Sequence, residues 1–201
     1  LPNMVVLSPC DSIEAKKATM ALAKSREPAY LRLAREKTPV ITTLETPFEI
    51  GKAQVFYRTP HLNSPLKKGV PESARVGAVS SVGIVATGGL VHKALVAAKE
   101  LEGEGIALTV LNLSTIKPID EQAIIELAKE CGRIVTVEEH QVMGGVGSAV
   151  AEVLSQTYPI LMEFVGVKDT FGQSGKPDEI VEHYGMGVSH IKGAVHRVLA
   201  K

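Results

Sequence analysis

The residues with the most chemical promise lie between positions 133 and 154. There RIVTVEEHQVMGGVGSAVAEVL runs from an apolar segment, through two carboxylates and an imidazole, into a glycine cluster. An apolar strand, a glycine turn and a helix form the layout of a phosphate-cradling turn, because the free N–H groups at a helix start attract anions. Thr87-Gly88-Gly89 is a second such place, again after an apolar run and before a helix-like one. Neither is a complete fingerprint. Gly144-Gly145-Val146-Gly147 is followed by Ala149 and Val150 without the third glycine of GxGxxG, and GxxxxGK[ST] is absent. Glycine at such turns also serves close helix–strand packing and left-handed backbone angles. Packing is the expectation at both, and an anion at Gly88-Gly89 or at the 144–147 turn stays open.

Glu138, Glu139 and His140 form a carboxylate–imidazole cluster in sequence. On a strand, neighbouring side chains point to opposite faces, so Glu138 and Glu139 do not make an acid–base pair. A solvated strand end, or one carboxylate capping the next helix, is the expectation. His61, His92, His183, His190 and His196 show no metal-ligand spacing, and the six-residue step from His190 to His196 puts them on different helix faces. No metal site is expected. There is no GxSxG, and neither Cys10 nor Cys131 stands near a histidine or forms a CxxC pair. Cysteine usage of this kind fits a reduced, cytoplasmic compartment.

The elements that must position these residues read as strands alternating with helices. Residues 4–7 make a short buried strand. Asp11, with Glu14 three positions on, is a capping-box start for a helix to about residue 25, which Pro28 stops. Residues 30–33 form a second strand. Residues 48–58 read as a strand with Gly51 as a bulge or a close approach. Residues 59–75, with three prolines and Lys67-Lys68, read as a linker or elaborated loop. From about residue 76 the pattern is regular: strands at 82–87, 106–111, 133–137 and 160–167 alternate with helices at 90–101, 120–131, 145–156, a short one opened by Pro177, and 188–199. Several strands lack polar alternation, which suits burial on both faces. The fold class is therefore α/β: a three-layer α/β/α domain with a mainly parallel sheet, preceded by a strand-helix-strand unit of a second α/β domain. The boundaries are 1–45, 46–81 and 82–201.

Composition excludes several functions. Of 201 residues, 22 are Lys or Arg and 22 are Asp or Glu, so the net charge is zero and no basic stripe favours nucleic acid. There is no Trp, and aromatics are 4%, which leaves little for base stacking. No apolar run approaches the ~18 residues of a membrane span. The opening LPNMVVLSPC runs straight into a strand without an initiator Met, and reads as a piece of a longer protein.

Seven segments, in order, carry a resemblance: LPNMVVLSPCDSIEAKKA, PAYLRLARE, FEIGKAQV, VGIVATGGLVHKALVAAKEL, LNLSTIKPIDEQAI, GRIVTVEEHQVMGGVGSAVAEVL and SGKPDEIVEHYG. Together they make the chain similar to transketolase over nearly its whole length. YLRLARE and SGKPDEIVEHYG favour transketolase over 1-deoxyxylulose-5-phosphate synthase and the 2-oxoacid dehydrogenase beta subunits, which share the layout. The stretch 59–81 is a departure, longer than the family's usual hairpin. The resemblance implies transfer of a two-carbon ketol unit between sugar phosphates in the pentose phosphate pathway. It implies thiamine diphosphate and a divalent metal, Mg or Ca, bound between subunits of the intact enzyme by residues upstream of this chain, which itself should hold neither and be inactive alone. It implies a homodimer, with the upstream part supplied by the same polypeptide or by an N-terminal subunit. It makes residues 1–45 a remnant of the pyrimidine-binding domain, 46–81 a linker or hairpin with a long loop, and 82–201 the C-terminal domain, whose part is structural, at the dimer interface, so the resemblance favours packing at the 144–147 turn. Arg35, in LARE, aligns with the arginine that grips the substrate's terminal phosphate; an ion pair with Glu36 or Glu27 is its alternative role. A stand-alone dimerisation or anion-binding domain is the reading from a different class.

Overall fold

The structure is a computed structural model that describes residues 1–35, 37–60 and 81–201. Its strands are β1 (Val5–Leu7), β2 (Ala29–Leu31), β3 (Gln54–Arg58), β4 (Ser81–Ala86), β5 (Ala107–Asn112), β6 (Thr115–Lys117), β7 (Arg133–Gln141) and β8 (Leu161–Val167). Its helices are α1 (Ser12–Leu22), α2 (Leu90–Gly103), α3 (Glu121–Cys131), α4 (Val146–Thr157), α5 (Pro177–His183) and α6 (Val188–Leu199).

The larger sheet has the order β3-β5-β4-β7-β8, with β4, β5, β7 and β8 parallel and β3 antiparallel on the edge. Alternation along the central strands sorts side chains between two cores. Val82, Ile84, Ala86, Leu108, Val135 and Val137 pack under α2 and α6, while Val85, Leu111 and Ile134 pack under α3 and α4. Each fully buried Ile or Leu stabilises the domain by about 1.5–3 kcal/mol. Layer spacing is tight: a Cβ on Gly83 would lie 2.7 Å from Leu127 Cγ, so glycine lets α3 approach β4. This is the expected three-layer arrangement, α2 and α6 on one face and α3 and α4 on the other.

Helix ends follow their capping residues. Asp120 accepts from the Ala123 N–H at the start of α3, and Gly132 ends it at φ +71°. Asp11 caps α1 by accepting from the Glu14 N–H at 2.8 Å. Glu14 does not complete the reciprocal box on Asp11. Its carboxylate accepts instead from the Cys10 N–H at 2.6 Å and the Asn112 amide at 2.7 Å, tying α1 to β5.

Three features depart from the sequence reading. The strand expected over 48–58 begins only at Gln54; Phe48 and Ile50 pack with β1 and α1, and Gly51 turns the chain at φ +85° rather than forming a bulge. The strand at 133–137 continues to Gln141. The short strand β6 was not anticipated: it pairs antiparallel with β1, giving a second sheet of order β2-β1-β6. The strand-helix-strand unit is thus joined to the main domain by backbone hydrogen bonds. The expected loop over 59–75 lies almost wholly outside the described residues. No helix among the described residues is long and apolar enough to cross a membrane.

Candidate functional site

Strand order reverses at β4. The chain moves to β5 on one side through α2, and β7 lies on the other side, followed by α4 on the opposite face. Ligands of open α/β sheets bind outside the carboxyl ends of strands at such a point. Both glycine turns singled out in the sequence are here, one after β4 and one after β7.

At the second turn the anion place is already filled. Along β7, Glu138 faces α4, 1% exposed, alternation turns Glu139 to the opposite face, and both Glu139 and His140 are exposed toward the end of the strand. The Glu138 carboxylate accepts from the Val146 N–H at 2.7 Å and the Gly147 N–H at 2.8 Å, capping α4 from within the protein. The glycines make room for it. A Cβ on Gly145 would lie 2.1 Å from Glu138 Oε2, one on Gly147 would lie 2.6 Å from Phe164 Cδ1, and Gly144 carries φ +76°. Burial raises the Glu138 carboxyl above its ordinary range, against the pull of its two N–H donors. The capping role expected for a carboxylate of this cluster therefore belongs to Glu138.

The first turn is built differently. Gly88 has φ +60° and its N–H donates to the Ser8 carbonyl at 3.2 Å; α2 then starts at Gly89 with no side-chain cap and no acidic residue in its first turn. Opposite it runs the segment after β2. Arg32 is half-buried and donates to the Glu139 carbonyl at 2.7 Å, binding the end of β2 to the end of β7. Arg35 is exposed three residues later. Ser8, Arg32, Arg35, Gly88, Gly89 and Glu139 line a cleft of about 220 Å³. Of its alternative partners, Glu36 lies outside the described residues.

A larger cleft of about 610 Å³ lies on the other side of Ser8 and Arg32, between β1, β6 and α4. Its walls are mainly apolar, with Val6, Ile116, Ile119, Val146, Ala149 and Val153. His140 and Glu138 are among its lining residues, and the Glu138 carboxylate is committed to α4.

The remaining candidates stay dispersed. His190 lies 3.4 Å from Glu182 and His196 3.1 Å from Glu104, on different sides of α6. His183 stacks edge-on against Tyr184, His92 lies half-buried on α2, and His61 is outside the described residues. Among the described residues no group of three or more His, Cys, Asp or Glu could hold a metal ion. Cys10 and Cys131 are buried free thiols. Burial first, then neighbouring carboxylates, pushes Cys10 far above the usual thiol range and Cys131 up to about 12, so neither supplies a thiolate near neutral pH.

Sequence reasoning singled out Arg35 but passed over Ser8 and Arg32. Nothing in LSPC marks Ser8, and nothing in YLRLARE marks Arg32 as the residue that reaches β7. Asp11 was read as a cap alone. It also accepts from the Ile41 and Thr42 N–H groups at 2.8 and 2.6 Å, fixing the segment that leads away from Arg35.

Residues 74–191 match the family model described as "Transketolase, C-terminal domain". The chain is 36% identical over 198 residues to a 6-deoxy-6-sulfo-D-fructose transketolase subunit of Clostridium sp. (strain MSTE9), covering 98% of this chain and 55% of that protein. It is 36% identical over 189 residues to a putative transketolase C-terminal section of Methanocaldococcus jannaschii, covering 92% and 52%. A solved structure titled "Split gene transketolase, inactive beta4 tetramer" superposes with a TM-score of 0.86 at 38% identity, over 100% of this chain and 59% of that one. The chain spans about half the length of these curated relatives.

Proposed function

This chain belongs to the family of transketolase C-terminal domains, and from that premise we propose that it serves an enzyme that transfers a two-carbon ketol unit between sugar phosphates. In this reading the chain is the C-terminal part. It provides the structural domain of a homodimer and one substrate-binding residue, Arg35. An upstream segment or an N-terminal partner subunit provides the rest. The 6-deoxy-6-sulfo-D-fructose named for one relative carries a sulfonate, which like a phosphate is a tetrahedral oxyanion. A guanidinium fits either, being planar, permanently charged and able to pair two oxygens.

The observation that carries this reading is the setting of Arg35. It lines a cleft at the reversal of strand order, with Arg32 beside it and the uncapped start of α2 opposite. Charge and helix orientation there favour an anion. Thiamine diphosphate and a divalent metal, Mg or Ca, belong in this proposal to the assembled enzyme, where the cofactor carries the ketol unit between sugars. The α4 turn offers the cofactor's diphosphate no place, since Glu138 already occupies its N–H groups. No step through the cofactor is assigned to this chain.

Arg35→Ala in the assembled enzyme tests the reading. Loss of a charge-assisted contact worth about 1.5–3 kcal/mol should raise KM for phosphorylated sugars roughly 10- to 150-fold. Unphosphorylated ketoses should be nearly unaffected. Equal losses on both substrate classes would make Arg35 a structural residue. The chain by itself, in preparations free of its partner, should show no turnover proportional to its concentration.

A further inference from the structure

We propose that the first turn of α2 is an oxyanion subsite, in which the Gly89 and Leu90 N–H groups and the Ser8 hydroxyl receive the phosphate group that Arg35 grips. The inference rests on the reading of Arg35 given above and deepens it. It makes the main domain a donor to the substrate, where that reading assigns it a scaffold.

Three observations converge. The first is the accounting of N–H groups at the start of this 14-residue helix. Gly88 donates to Ser8 and Val91 donates to the Gly88 carbonyl at 3.1 Å, and no described residue accepts from Gly89 or Leu90. A helix start leaves such groups facing outward with a partial positive charge.

The second is Ser8, 5% exposed. Among the described residues its hydroxyl makes no hydrogen bond, although its backbone N–H and carbonyl are both used. It lies against the turn that leads into the helix: a Cβ on Gly88 would lie 2.8 Å from Ser8 Oγ. The residue is buried, yet it lines the cleft, where a ligand oxygen would partner its hydroxyl.

The third is charge and size. Among the described residues, the cleft is lined by the guanidinium groups of Arg32 and Arg35 and by one carboxylate, Glu139, whose side chain is exposed. Its volume of about 220 Å³ is below the ~300 Å³ at which drug-sized pockets begin, and suits a single phosphate group. The α4 start is the internal contrast. Its two N–H groups meet a carboxylate of the chain itself, whereas α2 has neither a capping side chain nor an acidic first turn.

The test is nuclear magnetic resonance on the nitrogen-15-labelled full chain, titrated at constant ionic strength with inorganic phosphate and, in parallel, with a pentose phosphate. Saturable shifts are expected at the Gly89 and Leu90 amides and at Arg35 Nε, with the Val146 and Gly147 amides unmoved. Tighter saturation by the pentose phosphate would identify the ester as the ligand; equal saturation would identify the phosphate group alone. Ser8→Ala should weaken binding roughly 3- to 10-fold. The wild-type titration decides the matter even if that variant does not fold. If Arg35 Nε moves while Gly89 and Leu90 stay fixed, the subsite is overturned and the Arg35 reading survives. If Gly89 and Leu90 move without Arg35 Nε, the subsite stands and that reading fails. Shifts that grow without saturating, or no shifts at all, would overturn the subsite.

Discussion

The starts of α2 and α4 look alike in sequence and differ in substance. Each follows a central parallel strand, each is rich in glycine, and each stands where the strand order reverses. At α4 the glycines exist to admit a neighbour: Gly145 and Gly147 leave the space that the Glu138 carboxylate and the Phe164 ring fill. At α2, Gly88 supplies a left-handed turn, and the helix start is left facing two arginines. Glycine before a helix therefore shows that something approaches the backbone closely. Whether that is a ligand or the protein's own side chain depends on the residue that alternation places opposite.

The contrast breaks most sharply at Glu138. Glu138→Ala leaves two buried N–H groups of α4 without acceptors, at about 1–3 kcal/mol each. Urea unfolding should show a loss of roughly 2–4 kcal/mol, and a loss below about 1 kcal/mol would mean that water replaces the carboxylate at no cost. Glycine substitutions come next. Gly145→Ala would place a Cβ 2.4 Å from the Gln141 carbonyl oxygen and should cost about 1–3 kcal/mol by overpacking. Gly89→Ala meets only the Thr38 methyl at 3.0 Å, at an α-helical φ of −59°, and should cost under about 1 kcal/mol. Similar losses at the two positions would erase the distinction.

The smallest effect is in pH dependence, and its sign separates two capping carboxylates. Glu138 sits above its ordinary range because burial outweighs its donors, so its contribution to stability is fully present below about pH 4.3 and is lost as pH rises through its raised value. Asp11 is also buried, but the hydrogen bonds from Glu14, Thr42 and Ile41 outweigh that and hold it below its ordinary range. Its contribution is present above about pH 3.9 and is lost as pH falls through its lowered value. Unfolding curves between about pH 7 and 4 should show the gap between wild type and Glu138→Gln widening toward acid. Below about pH 4 the gap between wild type and Asp11→Asn should close.

What the sequence disclosed depended on how local the cause was. The bounds of α6 and the caps of α3 could be read from neighbouring residues, because a cap and its helix lie within one turn. Strand alternation disclosed that Glu138 and Glu139 face opposite ways, though not which of them is buried. By contrast β6 is three residues long, and only its pairing with Val6 and Leu7, more than a hundred positions away, makes it a strand. Phe48 and Ile50 carry a strand-like pattern yet pack against β1 and α1, since the small core there needed covering. Arg35 was legible only through resemblance. Ser8 was not legible at all, because its meeting with the turn before α2, some eighty positions on, is a property of three dimensions.

The pairing of β1 with β6 also sets an order of events during synthesis. Residues 1–31 contain everything needed for β1, α1 and β2, but the strand that completes the other edge of β1 ends at Lys117, 86 residues after Leu31. At ~5–20 residues per second the ribosome supplies it roughly 4–17 s later. Through that interval β1 presents an open backbone edge beside apolar Val5 and Leu7, the kind of surface that pairs with a neighbouring nascent chain. Closing the gap brings together segments far apart in sequence, a slow step for a chain of this topology. The stage most exposed to misassembly therefore falls before the β6 segment has left the ribosome.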